Sequence, residues 1–240
     1  MKLSIALSGG AARGVFHLGF LDVLLKEGVE IKEISGSSAG AIVAGAIACK
    51  IPLKDIFEIV KSKEFKSIFK FSLKTGLFKI DLNSTILDKF FLYDDLSKSD
   101  IPLFICVTDF QEEKALYLNA GDPKKIIPAS CAIYPFFEPI VYKDKILVDG
   151  GYKDNLPSSP LNGNILGINV VPNCKIEKLT HKNIIIKISQ MLIRNTINYE
   201  KIKYLIEPQE ICKIRAFSFN DLDECYGLGK KYAFNWLRQL

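Results

Sequence analysis

The pentapeptide Gly36-Ser37-Ser38-Ala39-Gly40 constrains this chain more than any other stretch. It stands between a short extended segment, residues 31–35, and an apolar, helix-compatible run, residues 41–49. Gly-x-Ser-x-Gly in a strand–turn–helix setting forces a sharp turn that pushes the central hydroxyl out of the fold. Side chains two residues before and two after Ser38 would collide with the neighbouring strand and helix, and Gly36 and Gly40 carry none. The helix that follows aims its free amide hydrogens and positive dipole end at any charge forming near Ser38. The same five residues also fit a plain small-residue turn closing a buried strand, so the rest of the chain has to decide.

With 240 residues, 48% hydrophobic and 25% charged, the chain is long enough to bury a large core, and one α/β domain over residues 1–240 is expected. The net charge of +5 leans towards anionic surfaces, but no basic helix or RNA-binding motif accompanies it, which excludes a nucleic-acid partner. Six cysteines (Cys49, Cys106, Cys131, Cys174, Cys212, Cys225) stand singly among mostly apolar neighbours, with no Cys-x-x-Cys or Cys/His ligand spacing. Reduced, packed thiols in a reducing compartment are therefore expected, with no metal and no cofactor. The N-terminal apolar stretch is too short for a signal peptide, and the longest apolar run, residues 41–49, is too short to span a bilayer. A soluble, cytoplasmic protein is expected, with peripheral membrane contact allowed by the basic charge.

Residues 3–7 read as a buried first strand that opens into Ser8-Gly9-Gly10-Ala11-Ala12-Arg13-Gly14, followed by a helix over 12–27 that Gly28 caps. Helices are expected over 39–49, 52–61, 81–93, 122–131, 184–206 and 221–240; strands over 31–35, 103–108, 115–119, 165–171 and 211–217; and a hairpin over 140–148 that ends in Asp149-Gly150-Gly151. From Lys61 to Lys79, six lysines alternate with Phe65, Phe69, Phe71 and Phe78, and Glu64 is the one acid. That segment suits a mobile cover, a patch lying on a lipid surface, or an amphipathic helix pair with its phenylalanines in the core.

Two glycine loops after two early strands would lie side by side at the carboxyl edge of a parallel sheet, where open α/β folds place ligands. The first lacks the Gly-Lys-Ser/Thr of a nucleotide-phosphate loop and the Gly-x-Gly-x-x-Gly of a dinucleotide loop. It suits an oxyanion hole, with amides of Gly10, Ala11 or Ala12, joined by that of Ala39, around an ester carbonyl attacked by Ser38. Arg13 would fix the loop, add positive potential, or simply be a surface charge. As proton acceptor Asp149 is preferred: it ends a strand, and Gly150-Gly151 let the chain turn its carboxylate back over the site. His181 follows Asp149 in the Ser…Asp…His order of an α/β-hydrolase triad but sits in a polar, exposed-looking context, and His17 lies inside the first helix.

Taken together these pieces resemble the patatin-like phospholipase family. Gly9-Gly10-Ala11-Ala12-Arg13-Gly14 is similar to its oxyanion loop, Gly36-Ser37-Ser38-Ala39-Gly40 to its nucleophile elbow, and Asp149-Gly150-Gly151 to its aspartate motif. Residues 129–139 resemble the segment before that aspartate, and Asn155-Leu156-Pro157 the one after it. The resemblance implies a three-layer α/β/α fold with a mostly parallel sheet. It also implies calcium-independent lipid acyl hydrolysis by a Ser38–Asp149 dyad, with phospholipids or lysophospholipids as substrates; the Lys/Phe composition of residues 61–79 separately suits peripheral contact with an anionic membrane surface. A triad through His181, or a lipid-binding protein of low turnover, are the alternatives. Ala11 departs from the family's frequent third glycine, which matters only if that position requires positive φ.

Overall fold

The structure, a computed structural model, describes residues 1–176 and 178–239. Its strands are β1 (Lys2–Leu7), β2 (Glu30–Ser37), β3 (Phe69–Phe71), β4 (Phe78–Ile80), β5 (Leu103–Asp109), β6 (Lys114–Leu118), β7 (Ile140–Tyr142), β8 (Lys145–Asp149), β9 (Ile165–Ile168) and β10 (Ile202–Ile206). Its α-helices are α1 (Val15–Lys26), α2 (Ala39–Ala48), α3 (Leu53–Lys61), α4 (Lys63–Ser67), α5 (Pro123–Ser130), α6 (His181–Arg194) and α7 (Leu222–Leu237).

The main sheet runs β10-β9-β1-β2-β5-β8-β7, with β6 on β5, and β3-β4 form a separate hairpin. From β10 to β5 every pairing is parallel; β6, β7 and β8 add the antiparallel portion. This is the expected α/β architecture, a mostly parallel sheet flanked by helices. Strand periodicity divides the core: Leu3, Ile5 and Leu7 point into the main cluster with α1, α2 and α7, whereas Ala6 points into a smaller one with Leu156, Leu161, Ile165 and Ile197. Both faces of β1 are thus buried, which is why it reads as a continuous apolar run. Among the described residues, no helix is long and apolar enough to cross a membrane.

Several expectations fail locally. The helix expected over 81–93 is a single 3-10 turn, Thr85–Lys89, beyond which Phe90 and Phe91 drop into the core. The helix expected over 184–206 starts earlier and stops at Arg194; the chain then returns as β10, because β9 has an open parallel edge and Ile202-Lys-Tyr-Leu-Ile206 suits it. The strand expected over 211–217 is a 3-10 turn, Gln209–Lys213, and an irregular run whose carbonyls serve the first glycine loop. In α7, Leu240, the expected last residue, lies outside the described residues. Residues 61–79 form α4 and the β3–β4 hairpin, not a helix pair. Cys174 and Cys212 form a disulfide, against the expectation of six reduced thiols. Their separation of 38 residues carries no motif; it is the parallel neighbours β9 and β10 that bring the following loops together.

Candidate active site

Strand register assembles the site. Leu7 pairs with Gly36, so the first glycine loop leaves the sheet beside the elbow. Ser37 pairs with Cys106 on β5, and the next residue of β5, Val107, pairs with Asp149 on β8. Two adjacent ladders thus bring Ser38 and Asp149, 111 positions apart in sequence, to one edge of the sheet.

At the elbow Ser38 has φ 52° and ψ −123° and is the N-cap of α2. A non-glycine residue in that region holds about 1–3 kcal/mol of strain, sustained by the surrounding structure. A side chain on Gly36 would lie 2.3 Å from the Gly40 carbonyl oxygen, and one on Gly40 would lie 2.3 Å from that of Leu7. Ser130 holds the strained turn from below: its hydroxyl accepts the Ser38 N–H at 2.8 Å and donates to the Cys106 carbonyl at 2.6 Å.

Asp149 is 3% exposed. Burial lifts its carboxyl from the usual 3.8 to about 6, against the lowering influence of the Ser38 hydroxyl and of the Gly151 N–H. Gly151 donates to Oδ1 at 2.8 Å, whereas Oδ2 has no regular hydrogen-bond partner, so Ser38 Oγ approaches the carboxylate without closing a well-aligned bond. Catalytic hydrogen bonds in ligand-free sites are often loose in this way. Asn155 wedges into the same spot: its Oδ1 lies where side chains on Gly9 and Gly151 would be, and its buried Nδ2 has no partner among the described residues.

The first glycine loop divides into spent and free amides. Gly9 N–H donates to Asn155 O, Ala12 N–H to Ala216 O at 2.8 Å, and Arg13 N–H to Gly10 O. Ala12 is therefore removed from the expected set of oxyanion donors. The amides of Gly10, Ala11 and Ala39 have no acceptor among the described residues. Gly14 packs on Ala39, joining the loop to the start of α2. Arg13 is buried, with Nε donating to Ile214 O at 2.8 Å and its pKa lowered by desolvation, so its side chain fixes the loop instead of lining the surface. Ala11 has φ 52°, in the region that favours glycine, so its position is one where the departure from glycine costs strain.

Among the described residues, neither histidine is hydrogen-bonded to Ser38 or Asp149. His17 is fully buried, hydrogen-bonded through Nε2 to Ser8 O at 2.9 Å, and desolvation lowers its pKa to about 4. His181 is exposed on the first turn of α6. The far end of that helix is the one tied to the Asp149 loop, through Thr196 Oγ1 and Gly151 O, about 20 Å away at 1.5 Å per residue.

Ser38 and Ala39 open onto a cavity of about 460 Å³ with almost wholly apolar walls. Ala11, Ala12 and Gly14 line it beside them; Val43, Ile127, Phe90 and Phe91 come from the core side. The 61–79 segment contributes Phe65, Ile68, Phe69 and Phe78, so most of its phenylalanines face the cavity, with Phe71 left exposed. Sequence reasoning assigned no role to Ser130 or Asn155, although both stand in the segments flanking Asp149 that resemble family motifs. Among the described residues, no cluster of His, Cys, Asp and Glu could hold a metal ion. A strained hydroxyl, a raised carboxylate, free amides and an apolar cavity are the parts that acyl transfer from a hydrophobic ester requires.

Comparison with known proteins points the same way. The family model for patatin-like phospholipases matches residues 5–161. A lysophospholipase NTE1 of Mycosarcoma maydis is 27% identical over 174 residues, covering 65% of this chain and 9% of that protein. An uncharacterized NTE family protein of Mycobacterium bovis is 28% identical over 166 residues, covering 68% of this chain and 46% of its own length. The chain therefore spans less than half the length of these relatives. VipD from Legionella pneumophila superposes with a TM-score of 0.65 over 99% of this chain and 67% of that one; at 12% identity this likeness concerns the fold alone.

Proposed function

Because the chain belongs to the patatin-like phospholipase family, we propose that it is a serine lipid acyl hydrolase working through Ser38 and Asp149. Ser38 Oγ attacks the ester carbonyl as its proton passes to Asp149. The amides of Gly10, Ala11 and Ala39 hold the negative oxygen of the tetrahedral intermediate, each donor lowering the barrier by about 3–4 kcal/mol. The intermediate collapses to an acyl-enzyme, and the departing alkoxide takes the proton from Asp149. Asp149 then accepts a proton from water, the resulting hydroxide attacks the acyl carbon, and the fatty acid leaves as Ser38 Oγ is reprotonated.

The observation that carries this reading is the buried carboxylate beside a strained serine at the end of an apolar cavity. A carboxylate with pKa about 6 is ionised at neutral pH yet basic enough to assist the attack. The apolar walls of the cavity suit the fatty-acyl chain of a phospholipid or lysophospholipid.

Fluorophosphonate labelling and fatty-acid release from lysophosphatidylcholine and phosphatidylcholine test the proposal. Ser38→Ala should abolish labelling, Asp149→Asn should lower kcat/KM by about four orders of magnitude, and His181→Ala should leave turnover near that of the wild type. Unlabelled wild-type Ser38, or a His181→Ala loss as large as that of Asp149→Asn, would overturn it.

A further inference from the structure

We propose that helix α6, together with the loop leading into it, is a docking surface for anionic phospholipid membranes, set beside the mouth of the cavity. A surface helix ordinarily turns its apolar stripe towards the core. Helix α6 does not: none of its described residues is buried, and Ile185 (65% exposed), Leu192 (64%), Met191 and Ile188 stand in water. Leu179, just before it, is 83% exposed. A contiguous aliphatic patch of this kind marks an interaction site.

Charge identifies the partner. Between Lys175 and Arg194 the sequence carries five cations (Lys175, Lys178, Lys182, Lys187, Arg194) against the one acid Glu177, and α6 itself contains no acid. Lys187 is turned to the body and Arg194 pairs with Glu207 at 3.6 Å, which leaves Lys175, Lys178 and Lys182 as the remaining cations of this stretch, and aliphatic residues with lysines are the composition of helices that lie in a lipid interface. Protein interfaces are instead depleted in lysine and enriched in aromatic residues, of which α6 has none. At 14 residues the helix is too short to span a bilayer, which takes about 20, so it would lie along the surface.

Anchoring and continuity fix its place relative to the site. Lys187 Nζ bonds the Cys174 carbonyl at 2.7 Å and Arg194 Nη1 the Val171 carbonyl at 3.1 Å, holding one side of α6 to the body and leaving the aliphatic side outward. Just beyond α6, Thr196 Oγ1 accepts the Asn155 N–H and lies 3.3 Å from Gly151 O, its hydrogen going to Ile193 O at 2.7 Å. Next to Gly151 stands the exposed Tyr152, whose hydroxyl meets the Tyr134 backbone, and two residues on, the exposed Phe136 stacks against Phe217 at 4.9 Å on the cavity lining. Docking on α6 would bring this opening to the lipid, a consequence that rests on the hydrolase reading even though the binding itself does not.

Sedimentation of the full chain with vesicles of phosphatidylcholine alone, and of phosphatidylcholine mixed with phosphatidylglycerol, tests the proposal. Wild type and Ser38→Ala should both sediment with the anionic vesicles and only weakly with the neutral ones. Ile185→Glu/Leu192→Glu changes two exposed residues and should cut anionic-vesicle binding by at least about tenfold, with hydrolysis of a soluble short-chain ester unchanged. Vesicle binding by a chain without esterase activity would support docking and sink only the hydrolase reading. Three results would overturn the proposal: wild type remaining in the supernatant, the double variant binding as well as wild type, or a concentration-dependent dimer that the double variant abolishes.

Discussion

Replacing Asp149 by Asn should make the protein more stable while making it inactive, and the gain should grow with pH. Burial holds the folded carboxyl at about 6 against an ordinary 3.8. The folded state therefore binds more protons than the unfolded state between those values, and stability falls as pH rises through that window. Below it the carboxyl is protonated in both states and costs nothing extra; above it the full penalty of a buried charge is present. At 1.36 kcal/mol per pH unit the penalty is about 3 kcal/mol. Asparagine keeps the acceptor for the Gly151 N–H, nearly preserves the shape, and introduces no charge. Thermal unfolding followed by circular dichroism at about pH 8 should show the variant melting roughly 6–12 °C above wild type, with the difference vanishing near pH 3. A gain of equal size at both pH values, or no gain at about pH 8, would refute the claim that Asp149 is a desolvated carboxylate.

Because the ionised form of Asp149 is the one that accepts the serine proton, kcat/KM should rise with pH through an apparent pKa near 6 and level off above it; a limb centred near 4 would show an ordinary exposed base. Ser130→Ala removes the acceptor of the Ser38 N–H, and should cost about 1–3 kcal/mol of stability and lower kcat with little change in KM. Steady-state kinetics and chemical denaturation check both parts, and an unchanged kcat would remove Ser130 from the positioning of the nucleophile. Ala11→Gly relieves a φ of 52° that costs an alanine about 1–2 kcal/mol, partly offset by about 0.4–1 kcal/mol of added unfolded-state entropy. The variant should therefore melt slightly higher than wild type without loss of turnover, as paired melting curves and esterase assays would show.

The elements around the site were legible because their signals are local. The continuous buried run of β1, the wide apolar face of α1 and the short glycine loops each follow from residues within one turn or one strand. Gly36 could be read as a steric necessity because its close approach, to Gly40, lies within the turn itself; the one at Gly40, to Leu7 and Ser8, is supplied by the end of the neighbouring strand β1. Where the reading failed, the deciding partner was distant. Residues 202–206 became a strand because β9 offered an edge, and residues 211–217 lost theirs because Ile214 and Ala216 carbonyls were taken by Arg13 and Ala12. The Cys174–Cys212 pairing and the outward apolar side of α6 likewise have no local signature.

Residue order alone decided that Ser38 would stand at a glycine-flanked turn between a strand and a helix, since hard-sphere contacts over five residues leave few other shapes. Only the tertiary fold decided what that serine would meet. The pairing of β2, β5 and β8 brings Asp149 beside it, and burial there, a property of everything packed around the carboxyl, raises its proton affinity. Local sterics are written in neighbouring residues; proximity and desolvation exist only once distant strands have closed on one another.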